Sequence, residues 1–135
     1  MPHEISLDER NAVVRVRVSG AATHEEHLAA RLEAAGLCRA KGWPRMLVDL
    51  RDLKTAETVT TVSCFEFGSS YRTADLPDAC RIAHILPQAA RARRDVEFVA
   101  TVGLNRGILL RNFTDSDEAM RWLVQPPGAS SEAVS

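Results

Sequence analysis

"RMLVDL", residues 45–50, is apolar at nearly every position, and "RIAHIL", residues 81–86, repeats that character. A strand with one wet face alternates apolar and polar residues, whereas a strand apolar throughout is covered on both faces, as in a parallel sheet under helices. Parallel neighbours cannot be joined by a tight turn, so each needs a crossover, usually a helix. These two runs therefore predict an α/β fold, and the flanking sequence has to supply the helices.

It does so in order. Residues 12–19, "AVVRVRVS", alternate Val14, Val16 and Val18 against Arg15, Arg17 and Ser19, the period of a strand with one buried face. Before them "EISL" and "DERN" read as a short strand and turn, which makes an antiparallel hairpin toward one edge. "THEE" (23–26) is a capping box in which Thr23 caps a helix start and Glu26 reaches back to it. Leu28, Leu32 and Ala35 are expected to form the inward stripe of that helix, about five turns long, and "KGWP" (41–44) ends it.

After 45–50 a second helix is expected, capped by Thr55 or Thr58. Ala89, Ala92, Val96 and Val99 mark a third, from 88 to about 103, ended by "GLNRG" (103–107). "ILLRNF" (108–113) is the last strand, and "TDSDEAMRWL" (114–123) is the last helix. Its cap is Thr114 or Asp115, and Ala119, Met120, Trp122 and Leu123 face inward. The order β-β-α-β-α-β-α-β-α predicts a five-stranded, mostly parallel sheet with an antiparallel first strand and four helices. One domain over 1–125 and a flexible tail over 126–135 complete the expectation.

Composition excludes several functions. The 17 basic and 18 acidic residues are interspersed and leave a net charge of -1, which gives no footprint for nucleic acid or an anionic membrane. No apolar run approaches the ~20 residues of a membrane span, and no leader-like segment opens the chain, so a cytoplasmic protein without an integral membrane segment is expected. Cys38, Cys64 and Cys80 form no CxxC pair and read as reduced, buried thiols.

The stretches "ISLDERNAVVRVRVSGAATHEEH", "RMLVDLRDL", "RIAHILP" and above all "NFTDSDEAMRWL" resemble the SpoIIAA-like family of small bacterial proteins. That family is distantly related to the STAS (sulfate transporter and anti-sigma antagonist) domain. The resemblance covers roughly residues 3–124, and its closing signature is Phe113, Ala119, Trp122 and Leu123. It implies the α/β fold and a non-catalytic regulatory or protein-interaction role; most of the family has no assigned activity. Anti-sigma antagonists carry an Asp-Ser-Ser/Thr-Gly phosphoacceptor at the start of the helix after the third strand, where this chain has "TAETVTT" (55–61), without the tetrad or its glycine. Thr58, Thr60 and Thr61 are the remaining phosphoacceptor candidates, since a helix start favours a phosphate, but capping is the commoner use of such hydroxyls.

The carboxyl ends of the strands are where open sheets collect ligands. That places the expected partner or ligand surface at Asp49, Asp52, Thr58, Thr61, Phe65, Phe67 and Tyr71. Asp49 has a local alternative, accepting backbone N–H bonds from its own turn. In "CFEFGSSYRT" (64–73) the rings of Phe65, Phe67 and Tyr71 cannot share one side, and Gly68 weakens the helix between them.

No catalytic or metal site emerges, and no cofactor is expected. His24 and His27 stand i, i+3 rather than at the i, i+4 spacing of a zinc helix and read as solvated. Cys80 and His84 share a strand face but lie ~13 Å apart, and His84 reads as a hydrogen-bonded core residue. In "RARRD" (91–95) Arg91 can pair with Asp95, and Arg93 with Glu97, on a solvated helix face. An enzyme would need Asp49, His84 and Cys64 to converge. The sequence favours a module that binds a protein partner, or a second copy of itself. The alternative is a carrier or sensor of a small apolar, lipid-like ligand, held between the second helix and the sheet.

Overall fold

Every strand read from the sequence is present in the computed structural model, which describes residues 3–54, 59–70, 76–77 and 79–125. The elements in chain order are β1 (His3–Asp8), β2 (Val13–Val18), α1 (His24–Lys41), β3 (Arg45–Asp49), α2 (Thr61–Ser69), β4 (Arg81–Ile85), α3 (Ala90–Asn105), β5 (Leu109–Phe113) and α4 (Ser116–Val124). The strands lie side by side in chain order, β1 antiparallel to β2 and each later pair parallel. Residues 126–135, where a flexible tail is expected, lie outside the described residues.

This order dictates the layers. Crossovers between parallel strands are right-handed, and a series of them that always advances in one direction must stack its helices on one face. Accordingly α1, α2 and α3 share a face with Val14, Val16, Val18, Met46, Ile82 and Leu110. The terminal helix α4 is no crossover, and it covers the opposite face at Val13, Leu47, Ala83, Ile85 and Phe113. Arginines at the starts of β3 and β4 fasten its last turn: Arg45 Nε donates to the Leu123 carbonyl (2.9 Å), and Arg81 Nη1 to those of Trp122 (2.8 Å) and Gln125 (3.0 Å). These are the orphan acceptors of a helix end, where positive charge is favoured. Asp115, one of the two expected caps, accepts from the Asp117 N–H at 3.0 Å.

The Thr23 capping box forms as read, with Glu26 N–H to Thr23 Oγ1 at 3.2 Å and Thr23 N–H to Glu26 Oε1 at 2.9 Å. The inward stripe of α1 differs from the expectation. Leu32 is 60% exposed and Leu28 half-buried, and the buried face is Ala30, Arg31, Ala34, Ala35 and Cys38. Small side chains let the helix axis approach the sheet, and this turns the leucines outward. Helix α3 runs past the expected stop to Asn105, because Gly103 is buried within it and Gly107, at φ 86°, makes the turn instead.

Helix α2 is capped by Thr60, not by Thr55 or Thr58, which lie outside the described residues. Thr60 Oγ1 accepts from the Ser63 N–H (3.1 Å), and Ser63 Oγ accepts from the Thr60 N–H (2.8 Å). A serine three residues along thus replaces the usual Glu or Gln of the box. Gly68, read as a weak point, is a packing requirement. A Cβ there would meet Val102 Cβ at 2.7 Å and the Val99 carbonyl oxygen at 2.9 Å.

Gly68→Ala should therefore destabilise the protein by about 1–3 kcal/mol through overpacking, despite alanine's better helix propensity. Urea unfolding measures this, and an unchanged or raised midpoint would mean that α2 does not sit this close to α3.

Candidate functional site

Of the expected surface residues, Asp49 and Asp52 lie at and just after the end of β3, and Thr61, Phe65 and Phe67 lie on α2. Asp49 closes β3 and turns back on Arg51, accepting from its backbone N–H (3.1 Å), Nε (3.0 Å) and Nη2 (2.7 Å). Partial burial pushes the Asp49 pKa up, but these hydrogen bonds and the charges of Arg51 and Arg17 outweigh it and hold the carboxyl below its usual range. Asp52 is exposed and pairs with Arg17 of β2. Both carboxylates are thus engaged locally. Thr58 and Tyr71 lie outside the described residues.

Helix α2 packs on α3 and on the first half of α1, and it divides its side chains between two environments. Val62 and Phe65, 65% and 45% exposed, share its outer face with Thr61. The Arg106 guanidinium lies 5.6 Å from the Phe65 ring centre. Phe67 turns inward, and α1 closes around its ring. The Arg31 guanidinium stacks 4.1 Å from the ring centre, and His27 and His24 meet it edge-on at 5.8 and 6.3 Å. Arg31 also donates to the Phe67 carbonyl (2.7 Å) and Ser70 Oγ (2.6 Å), which ties the end of α2 to α1.

Beneath α2 lies a cavity of about 90 Å³. Its floor includes Val16, Met46, Val48 and His84 of the sheet, and its walls include His27 and Ala30 of α1, Cys64 and Phe67 of α2, and Val96 and Val99 of α3. Apolar atoms dominate this lining.

The expectation of solvated histidines fails for His27. Burial, then the nearby charge of His24, lower its pKa to about 4, against a weaker opposing pull from Glu26. It is half-buried because Phe67 packs on it from a distant segment of the chain. His84 is the core residue expected: enclosed, hydrogen-bonded to Asn112, and lowered to about 4 by burial. Burial, reinforced by Asp95, raises the Cys64 thiol to about 11, the reverse of an activated nucleophile. Among the described residues no group of three or more His, Cys, Asp or Glu side chains could hold a metal. Arg93 pairs with Glu97 as read (3.9 Å), while Arg91 reaches the Val59 carbonyl (3.5 Å). Arg31 was not foreseen, although His24, His27 and Arg31 at i, i+3 and i+7 already place three polar side chains on one helix face; the cavity lies between the second helix and the sheet, the space named for an apolar ligand.

The architecture resembles a known crystal structure, an anti-sigma factor antagonist from Mycobacterium paratuberculosis. The match covers 91% of this chain and 95% of that one, with a TM-score of 0.59 and 18% identity. The fold is that of an anti-sigma factor antagonist. The resemblance to SpoIIAA-like proteins therefore holds at the level of architecture. No family model and no curated protein sequence matches the chain. Among the described residues no helix is long and apolar enough to cross a membrane.

The enclosed imidazole of His84 and the half-buried one of His27 make stability depend on pH. Between pH 6.5 and about 4 the unfolded chain protonates both rings while the folded chain holds them neutral, so stability falls as pH falls through this window. The fully enclosed His84 ring accounts for up to roughly 3 kcal/mol of this at neutral pH, and the partly solvated His27 for less. Urea midpoints at pH 7.5 and 5 should differ in wild type and differ less in His84→Gln; a flat wild-type profile would contradict the burial of the rings.

Proposed function

We propose that the protein is a non-catalytic, cytoplasmic regulatory module that binds a protein partner at the rim formed by Asp49, Asp52 and the outer face of α2. The observation that carries this reading is the exposure of Val62 and Phe65, i and i+3 on one face of α2. Exposed apolar side chains with a polar border are what a partner can bury. The fold shared with an anti-sigma factor antagonist supports the same reading by analogy. A non-catalytic role agrees with the state of the three groups an enzyme would need. Asp49 is bound to Arg51, His84 is enclosed and neutral, and the Cys64 thiol is raised.

On this reading the threonines at the start of α2 are structural. Thr60 spends its hydroxyl on the cap, and Thr61 is the exposed first residue of the helix. Replacing Thr60 by Ala should cost about 1 kcal/mol of stability and leave partner binding intact. Phosphate found on Thr60 or Thr61 in protein from its native cell would instead favour a switch at this helix start.

The cavity under α2 favours a second reading, a carrier or sensor of a small apolar ligand enclosed by α1, α2, α3 and the sheet. Two measurements separate the readings. Affinity capture with wild type should recover a specific protein that Val62→Glu/Phe65→Glu loses, and recovery unaffected by these changes would remove the proposed surface. Native mass spectrometry should reveal a bound lipid-like molecule if the second reading holds, whereas repeated spectra of the bare chain would sink it.

A further inference from the structure

Cys38 and Cys80 are distant in sequence, but the start of the sheet brings them together. The last turns of α1 set Cys38 Sγ 3.7 Å from the carbonyl oxygen of Arg45, the first residue of β3. Arg45 is the register partner of Arg81 on β4, and the Arg81 N–H donates to the Pro44 carbonyl at 2.9 Å. Cys80 immediately precedes Arg81 and lies 3.9 Å, through its own Sγ, from the Arg81 carbonyl oxygen. Both side chains enter the same apolar core beside the starts of β3 and β4, close enough for each to perturb the other's ionisation. Cys64 sits apart, against the cavity. Cys80, 6% exposed, follows Ala79, an exposed turn residue at φ 57°.

We propose that Cys38 and Cys80 are a redox modification site, at which a hydroperoxide converts two thiols into a disulfide joining the end of α1 to the entry of β4. One sulfur, as thiolate, attacks a peroxide oxygen. The O–O bond breaks, hydroxide leaves, and a sulfenic acid forms. The second thiolate attacks that sulfur, the S–O bond breaks, the S–S bond forms, and a second hydroxide departs. The two thiol protons end on the hydroxides, so two thiols and one hydrogen peroxide yield one disulfide and two waters. The sulfurs lose two electrons and the peroxide gains them. The proximity of the thiols favours ionisation of one at the expense of the other: it holds Cys38 below the ordinary thiol range and, with burial, raises Cys80.

Full-length protein treated with hydrogen peroxide should drop from three titratable thiols to one. Its mass should fall by about 2 Da, and peptide mapping should recover Cys38 linked to Cys80. Its Tm should rise by about 10 °C and return on reduction. Cys64→Ser should behave as wild type, and Cys38→Ser and Cys80→Ser should each lose the cross-link. If either variant fails to fold, the wild-type peptide map decides. Persistence of all three thiols, oxygen adducts without a cross-link, or a linkage involving Cys64 would overturn the proposal.

Discussion

Two central strands that are apolar on both faces set the terms for the rest of the molecule. Met46 and Leu47, or Ile82 and Ala83, point to opposite sides of the sheet and are all buried, so both sides need cover. Three crossovers advancing in one direction can cover only one side. The other falls to α4, nine residues long, which has too little surface to hold its place by apolar contact alone. Arg45 and Arg81 supply the difference by binding the carbonyls at its last turn, with Arg81 also lying 5.7 Å from the Trp122 ring centre. Because α4 lies mainly over β3, β4 and β5 and reaches β2 only at Val13, the rest of that face of β1 and β2 stays polar, with Glu4, Arg15 and Arg17 in water.

The candidate site follows from where α2 is held. Gly68 lets it come close to α3, and Arg31 binds its last turn to α1, so it bridges two helices above the sheet. Residues beneath such a bridge are only partly filled in, which leaves the cavity over Val48 and His84. Residues on its outer side have nothing to pack against, which leaves Val62 and Phe65 in water. One short helix therefore produces both features on which a functional reading can rest, and its position depends on a glycine and an arginine rather than on a deep apolar face.

Periodicity and capping chemistry made most of the fold legible. The alternation around Val14, Val16 and Val18, the Thr23–Glu26 box and the cap at Asp115 are local signals, and each is realised by local hydrogen bonding or pleating. What was not legible depended on tertiary contacts. Leu32 and Ala34 are both apolar, and only the close approach of α1 to the sheet decides that the smaller one goes inside. His27 looks like a first-turn surface residue until Phe67 arrives from another segment to bury it. The cap of α2 was a local signal misread: Ser63, at the third helical position, pairs with Thr60 rather than with the expected Thr55 or Thr58. The volume of the cavity had no sequence signature, because it is defined by how far α2 stands from the sheet.

The strand sequence β1-β2-β3-β4-β5 also bears on how the chain is made. Each strand after the first docks against the one synthesised just before it, so a growing sheet never has to open to admit a later segment. On a ribosome this permits assembly from the amino end, each emerging strand and helix adding to an existing edge. Only α4 must wait, since the strands beneath it, β5 included, all precede it in the chain. Until then one apolar face stays bare, and the nascent chain is most prone to aggregate in that interval.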